Sequence, residues 1–321
     1  MNRHSVIWII LASLLIVAGL VVFMVVMTAN GWDFSKITTS KFLTNEHEIT
    51  EDFSKININT NTADVRLLPS GDGKCKVICV EEEKLRHTVT VKDGALTVEI
   101  KDEREWHEII GINFQSSKIE VYLPKTEYQS LTVKSSTGDT GILKDFQFES
   151  VDINASTGDV VCEAKVLNSL KIKLSTGSIT VKNTELGDTS LSVSTGDVKV
   201  EKVICEDLLV TVSTGKTKVS DLTCHNFTTD GSTGDVILEN VIATQKFNIK
   251  RSTGDVKFTG CDAQEIYIKT ETGDVKGSFL SEKTFIVNTE TGNKNVPHTV
   301  SGGRCEISTD TGDIYITLVK N

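Results

Sequence analysis

Residues 249–258 read Ile-Lys-Arg-Ser-Thr-Gly-Asp-Val-Lys-Phe, and variants of this stretch recur along most of the chain. The central Thr-Gly-Asp, or a close variant of it, places a glycine at positions 138, 158, 177, 196, 215, 234, 254, 273, 292 and 312. Successive glycines are 19 or 20 residues apart. A fixed period of this length is typical of solenoid proteins, in which each repeat forms one turn of a rod.

Apolar and polar side chains alternate on both sides of each glycine. Around Gly254, Phe247 and Ile249 precede the glycine, and Val256 and Phe258 follow it. Alternation with period 2 indicates a strand with one buried face. A glycine between two such strands suits a tight corner with positive φ. Each repeat therefore predicts a rung of two main strands and a short third segment, paired in parallel with the next rung.

A degenerate first copy lies upstream of the regular series. Thr62-Ala63-Asp64 replaces Thr-Gly-Asp, and the four flanking apolar positions hold Ile56, Ile58, Val65 and Leu67. With this copy included, the sequence predicts an all-β fold, a parallel β-solenoid (a single-stranded β-helix) of about eleven rungs of 19–20 residues, preceded by one transmembrane helix.

The period is interrupted at residues 68–117. The alternation predicts three strands there and a return to the solenoid pattern afterwards, at residues 74–80, 87–91, 95–100 and 118–123, with a hairpin turn at Lys92-Asp93-Gly94. We interpret the excursion as a cap that keeps the first edge of the rod from pairing with another chain.

The N-terminal residues 6–27 form an apolar stretch without a charged residue. This length spans a hydrocarbon core of about 30 Å, and Met27-Thr28-Ala29 is a poor cleavage site, so an uncleaved single-pass anchor is favoured over a signal peptide. The flanking charges do not decide its orientation. The chain is thus divided into an anchor (1–29), a stalk without clear periodicity (30–52), a first rung with the capping excursion (53–130) and the solenoid repeats (131–321).

Composition narrows the function. The formal net charge of −10 argues against a nucleic-acid partner, which needs a basic face. The seven cysteines match no zinc or redox spacing, and most stand where other repeats have small apolar residues. We interpret them as small buried hydrophobes and leave disulfides between rungs open.

Two polar columns accompany the corners. The first follows the glycine and consists of Asp139, Asp159, Asp197, Asp235, Asp255, Asp274 and Asp313, with Ser178, Lys216 and Asn293 in the other copies. Calcium could relieve the repulsion between stacked carboxylates, but the calcium-binding nonapeptide is absent, so turn structure is favoured. The second column, from Ser136-Thr137 to Ser252-Thr253, is interpreted as a hydrogen-bonded ladder rather than an ice- or sugar-binding face.

An enzyme is the less favoured reading. After residue 138 the period leaves no insertion that could wall a catalytic groove. The six histidines show neither metal-ligand nor triad spacing, and Trp106-His107-Glu108 is the one suggestive local cluster. We interpret it as a packed tryptophan beside surface polar residues, and predict no catalytic, cofactor-binding or metal site.

The chain resembles a known family, the adhesin-like β-strand-repeat domain of bacterial envelope proteins, a domain of unknown function. The resemblance covers about residues 46–321 and rests on the Ser-Thr-Gly-Asp series, Thr-Ala-Asp-Val (62–65), Gly-Ile-Asn-Phe (111–114) and Lys-Ile-Glu-Val-Tyr-Leu-Pro-Lys (118–125). It implies a membrane-tethered domain outside the cytoplasm, in some relatives encoded near envelope-stress genes. It implies no catalytic residues.

These observations predict a cell-membrane protein that presents a non-catalytic, adhesin-like or envelope-stress-related module on the extracytoplasmic side. Besides the membrane, its partner is expected to be another envelope protein, a cell-wall polymer or a host surface. Two alternatives stay open: a carbohydrate-active β-helix enzyme and a signalling scaffold facing the cytoplasm.

Overall fold

The computed structural model describes residues 3–32, 41–104, 116–124 and 127–319. Within these ranges, one helix precedes 23 strands that belong to a single sheet. The elements are α1 (Arg3–Ala29), β1 (Phe42–Ile49), β2 (Lys55–Thr60), β3 (Ala63–Pro69), β4 (Cys75–Glu82), β5 (Leu85–Lys92), β6 (Ala95–Asp102), β7 (Ser117–Leu123), β8 (Glu127–Thr137), β9 (Thr140–Ile142), β10 (Gln147–Thr157), β11 (Val160–Cys162), β12 (Lys165–Thr176), β13 (Ile179–Thr195), β14 (Val198–Cys205), β15 (Asp207–Thr214), β16 (Thr217–Thr233), β17 (Val236–Thr253), β18 (Val256–Thr272), β19 (Val275–Phe279), β20 (Lys283–Thr291), β21 (Lys294–Asn295), β22 (Gly303–Thr311) and β23 (Ile314–Leu318).

The repeats form a rod in which each rung pairs in parallel with the next. Strands before the glycine corner make one ladder, as in the pairs β8–β10 and β10–β12. Strands after the corner make another, as in β9–β11 and β14–β16. The alternating aliphatic side chains of both ladders meet in one continuous buried core. The prediction of an all-β parallel solenoid behind one apolar helix is confirmed.

Direct stacking explains the glycine at each corner. Gly196 has a φ of +138°, and a Cβ placed there would lie 1.9 Å from the Gly177 carbonyl oxygen. The Gly196 N–H donates to the Thr214 carbonyl of the next rung at 2.9 Å. A side chain at this position would therefore meet both a strained backbone and a clash with the rung below.

The last two repeats stack in the reverse of their chain order. β22, from the final repeat, pairs with β18 on one side and with β20 on the other, although β20 comes first in the chain. The reason lies two residues after the corner glycine, where the repeat of β20 has Lys294 and the final repeat has Ile314. A rung with a lysine at an inward position is better tolerated at the end of the rod, where one side faces solvent.

The rod has about nine regular turns rather than the eleven predicted. The corners at Ala63 and Gly292 belong to incomplete turns, because β3 leads into the excursion after Pro69 and β21 contains only two residues. Residues 296–302 then form no strand before β22 begins.

The N-terminal end of the rod is covered by the excursion. β6 and β7 pair in parallel with β2 and β3 on the side away from β8 and β9. Antiparallel strands then extend both ladders, because β5 pairs with β6 and β4 with β7, and β1 pairs in turn with β4. The predicted hairpin turn is present, with positive φ at Asp93 and Gly94.

One boundary differs from the sequence prediction. Part of the predicted stalk, Phe42–Ile49, is the strand β1, which pairs antiparallel with β4. Its half-buried side has Asn45 and His47 between Leu43 and Ile49, so the apolar alternation is interrupted and does not identify the strand. Residues 33–40 lie outside the described residues.

Candidate functional site

The aspartate column is a ladder of side-chain to backbone hydrogen bonds. The Asp139 carboxylate accepts the N–H of Asp159 at 2.8 Å, and the Asp159 carboxylate accepts the N–H of Ser178 at 2.8 Å. The same bond links Asp274 to the N–H of Asp313. Each carboxylate therefore satisfies a backbone donor of the neighbouring rung, which gives these residues a structural role at the corner.

The serine–threonine column borders the same corners. Its threonine carbonyls accept the glycine N–H groups of the neighbouring rung, as between Thr176 and Gly158 at 3.1 Å. Several of its side chains, such as those of Ser156, Thr157 and Ser194, are exposed along the rod. The ladder at this edge is thus carried by the backbone, and the hydroxyl groups remain available to solvent.

A groove of about 970 Å³ lies at the capped end. Its walls come from β1, the connection to β2, the turn between β3 and β4, and the region where β7 ends and β8 begins. The lining residues are Glu46, Glu48, Ile49, Thr50, Glu51, Asp52, Phe53, Ser70, Gly71, Asp72, Gly73, Lys74, Cys75, Lys76, Tyr122, Pro124 and Tyr128. Five carboxylates against two lysines give it an acidic character, and three aromatic rings provide apolar surface. We call it the cap groove.

Hydrogen bonds hold the polar groups of the cap groove. A hydrogen bond to the Glu46 carboxylate, 3.0 Å away, raises the pKa of Lys76. The Ser70 hydroxyl and the Lys74 N–H both donate to Asp72 and lower its pKa. A lowered carboxyl pKa suits a permanent negative charge and does not suit a general acid.

The aromatic rings of the cap groove are also fixed. The Tyr122 hydroxyl donates to Glu120 at 2.9 Å, and Lys76 Nζ lies 5.3 Å from the centre of the Tyr122 ring. Phe53 and Tyr128 stack with their ring centres 5.9 Å apart. The groove is therefore a preformed surface that combines aromatic rings with carboxylates, which suits binding of a ligand with apolar and cationic groups.

A second polar cluster joins the cap to the rod and has a buried centre. The Glu81 carboxylate accepts hydrogen bonds from Asn45 Nδ2 at 2.6 Å and from the His87 N–H at 2.6 Å, and it lies 2.7 Å from His87 Nδ1. His87 Nε2 lies 2.9 Å from the Thr60 hydroxyl. Burial acts to raise the pKa of Glu81, but the bonds from His87 and Asn45 hold it below its ordinary value. The cluster links β1, β2, β4 and β5.

The same cluster has the residue types of a metal site. The ligand atoms of Cys79, Glu81 and His87 lie within 4.8 Å of one another. Both ring nitrogens of His87 and the Glu81 carboxylate already have hydrogen-bond partners. Burial raises the pKa of the Cys79 thiol to about 12, which disfavours the thiolate that a metal requires. The arrangement is accounted for as a structural hydrogen-bond network.

Three features were not predicted from the sequence: the cap groove, the Glu81 cluster and a buried arginine. Arg251 stands in an inward column, where its guanidinium donates to the Val212 carbonyl at 2.9 Å and the Thr217 hydroxyl at 2.7 Å. A Cβ at Gly231 would lie 1.7 Å from Arg251 Nη1, so the glycine provides the space. A glycine in a column of larger residues, one repeat before an arginine, is the signal that could have revealed this pair.

The structure also bears on the predictions for the cysteines, two short motifs and the apolar helix. All seven cysteines are buried and free, which confirms their interpretation as small core residues. Trp106-His107-Glu108 and the Gly-Ile-Asn-Phe motif lie outside the described residues. The apolar helix is long and hydrophobic enough to cross a membrane over Ser5–Ala29.

Comparison with known proteins places the rod in a family. Residues 53–221 and 201–321 match the family model described as Toastrack DUF4097. No curated protein is significantly similar to the chain. The resemblance to an adhesin-like domain of unknown function is thereby confirmed.

The chain is similar to several solved structures, including three from Parabacteroides species. A protein of Parabacteroides distasonis, provisionally named a lipid binding protein, has a TM-score of 0.51 and 19% identity over 75% of this chain and 98% of that chain. A provisionally named adhesin of the same organism has a TM-score of 0.45 and 14% identity, with the same coverage. One from Parabacteroides merdae has a TM-score of 0.46 and 14% identity over 75% and 97%.

The first of these likenesses shows the fold alone, and the family rests on the model match. That match extends over residues 53–321 in two overlapping parts. The chain therefore belongs to the Toastrack DUF4097 family.

Proposed function

We propose that this chain is a single-pass membrane protein whose extracytoplasmic β-solenoid is a non-catalytic, adhesin-like interaction module. The observation that carries the proposal is the uninterrupted stacking of corners from Gly138 to Gly273. Between these corners every connection belongs to the repeat, so the described residues 127–279 supply no long loop to wall a catalytic cleft.

Two further observations support this proposal. The apolar helix at Ser5–Ala29 supplies a means of anchoring, and the adhesin names of the Parabacteroides proteins agree with a role at a surface. A regular rod is a stiff spacer, since each rung adds about 4.8 Å and is held by its neighbours. It can therefore present a binding surface at a fixed distance along its length.

The cap groove is the surface we assign to the partner. Its five carboxylates and three aromatic rings favour a partner with cationic and apolar groups, such as a basic segment of an envelope protein or an amine-bearing cell-wall polymer. The smaller depressions on the faces of the rod, of about 370 to 450 Å³, are more open and flatter in outline.

Topology is tested by introducing one exposed thiol. All seven native cysteines are buried, so the unmodified chain is expected not to react with a membrane-impermeant thiol reagent. An Asn154→Cys variant places an exposed thiol on the rod. We expect it to be labelled on intact cells. Labelling only after lysis would place the rod in the cytoplasm and contradict the proposal.

Partner binding is tested with the full chain in detergent, incubated with envelope fractions and cell-wall polymer. A Glu48→Lys/Glu51→Lys variant reverses two exposed charges of the cap groove. The matched control, Glu149→Lys/Glu239→Lys, makes the same change in net charge on the rod. We expect the groove variant to lose at least about tenfold in binding, equivalent to about 1.4 kcal/mol, and the control to bind normally. Equal binding by both variants would remove the groove from the proposal.

A further inference from the structure

The C-terminal end of the rod ends in a strand with an open edge. β20 pairs with β22 on one side, and no other described strand lies on its second side. Parallel strands direct alternate backbone groups to either side, so the outer side of β20 presents unpaired N–H and C=O groups. At the opposite end of the rod, the antiparallel strands of the cap cover the outermost parallel strands β6 and β7.

The core is also incomplete at this end. In the inward column of the neighbouring rungs, Cys305 and Ile307 are fully buried. Their counterparts Phe285 and Val287 in β20 are only partly buried, and the outward Ile286 is 49% exposed. Residues 296–302 approach the start of the strand, where the Thr299 hydroxyl donates to the Lys283 carbonyl. Along the rest of β20, the outer side of the backbone is unpaired and the apolar side chains are partly exposed.

We propose that β20 is a self-association surface, and that two copies of this chain join end to end through it. Two identical strands related by a twofold axis perpendicular to the sheet must pair antiparallel. Pairing of residues 284–290 places Val287 on the axis and sets Phe285 opposite Thr289 and Thr284 opposite Glu290. Inward residues then face inward residues, so the core continues from one copy into the other.

The charges of β20 fit this register. Lys283 is set opposite Thr291, and Glu290 opposite Thr284, so no like charges face each other. Shifting the axis to Ile286 would set Glu282 opposite Glu290. Shifting it by half a residue would place inward side chains against outward ones. The strand is thus self-complementary in the register centred on Val287.

The geometry limits the assembly to two copies and directs their anchors apart. The twofold pairing uses the open side of β20 in both copies and leaves neither copy of β20 free, so association through this strand closes at a dimer. The anchor α1 precedes β1 in the cap, and the twofold axis turns the two capped ends in opposite directions. Two rods of about 50 Å would hold two membranes on the order of 100 Å apart. This inference goes beyond the proposed function and does not depend on the cap groove.

The test uses the full chain in lipid vesicles and measures vesicle clustering by light scattering and electron microscopy. One strand pair is a small interface, so each contact is weak and many contacts on a vesicle act together. Wild-type vesicles are expected to cluster at a spacing on the order of 100 Å. Thr284→Glu sets a new carboxylate opposite Glu290 of the other copy and is expected to reduce clustering at least tenfold. Ile204→Lys, which alters an exposed aliphatic residue in the middle of the rod, is expected to cluster normally.

Charge reversal in trans tests the register and controls for folding. Glu290→Lys vesicles are expected to cluster alone, and also to cluster with Thr284→Glu vesicles, because the carboxylate introduced in one chain then faces the ammonium group introduced in the other. Because Glu290→Lys vesicles also cluster by themselves, the Thr284→Glu vesicles carry a fluorescent label, and their entry into the clusters would show that the Thr284→Glu chain is folded. Failure of wild-type vesicles to cluster, or equal clustering by wild type and Thr284→Glu, would overturn the proposal. Cap-groove variants should leave clustering unchanged, so the two proposals can fail separately.

Discussion

The parallel sheet of the solenoid terminates in different ways at its two ends. At the N-terminal end, β6 and β7 add an outer layer to the first rung, and β4 and β5 cover that layer with antiparallel pairing. At the C-terminal end, β20 stops the ladder with an unpaired edge and a partly buried Phe285. A solenoid has no intrinsic stop, so the comparison indicates that the first rung is protected by added strands, whereas the last rung is left exposed along β20.

Replacing a corner glycine with alanine should produce the largest difference in unfolding free energy between the two ends of the rod. Gly138 is held between the corners at Ala63 and Gly158, whereas Gly292 has a neighbouring corner only at Gly312 among the described residues. We expect Gly138→Ala to lower the free energy of unfolding by about 3 kcal/mol or more, because φ is positive and the carbonyl below cannot move. Gly292→Ala should cost less, since the outermost rung can shift outward.

Denaturant unfolding of the two variants under the same conditions measures this difference. Equal costs at both corners would contradict the view that the C-terminal rung is free on one side.

The cap should depend on its buried cluster. Removing the imidazole in His87→Ala leaves the Glu81 carboxylate buried without one of its donors, and we expect a loss of about 3–5 kcal/mol. His225→Ala is the matched control, because His225 pairs with Glu206 at 2.8 Å on the surface, where a loss of no more than about 1 kcal/mol is expected. Similar losses for both would show that the cluster does not hold the cap.

Acid should weaken the capped end through Glu81. Its pKa in the folded chain lies below the ordinary value of 4.5, because hydrogen bonds favour its charged form despite burial. Its contribution to stability is therefore complete above pH 4.5 and is lost as the pH falls through the lowered pKa. Glu81→Gln should be less stable than wild type at pH 7, and the difference should shrink at lower pH. A difference independent of pH would assign the effect to packing alone.

The aspartate ladder should give the smallest effect. Asp139 accepts the N–H of Asp159 near the capped end, and Asp313 accepts the N–H of Asn293 at the open end, both at 2.8 Å. We expect Asp139→Ala to cost about 1 kcal/mol in global unfolding, and Asp313→Ala to loosen only the outer rung. Lys216→Ala is the control in the same column, since a lysine side chain cannot accept this bond. A cost for the control equal to that of Asp139→Ala would argue against the ladder.

Much of the rod was predictable because each repeat has the same apolar alternation and the same corner glycine. The alternation around Gly254 identifies the inward residues, and the recurring glycine identifies the corner. The cap was harder to predict, since Asn45 and His47 interrupt the apolar alternation between Leu43 and Ile49 on the half-buried side of β1. The cap groove could not be predicted, because it arises where segments distant in sequence meet.

The reversed order of the last two rungs has a signal in the sequence, but it was not predicted. Lys294 stands where Ile314 and Val275 stand in neighbouring rungs, and this one position decides which rung can be enclosed on both sides. Spacing alone identifies which segments are rungs. Their order along the rod depends on which of them can bury both faces, and that requires comparing the free energy of alternative packings.

Amide hydrogen exchange of the last two repeats is the most direct test of the reversed stacking and of the open edge of β20. It should be measured on the Thr284→Glu variant, so that self-association does not protect β20. The structure predicts that amides of β22 and β23, at the end of the chain, exchange more slowly than those of β20, because their rung lies between two others. Faster exchange in β22 and β23 than in β20 would contradict the reversed stacking and the open edge that follows from it.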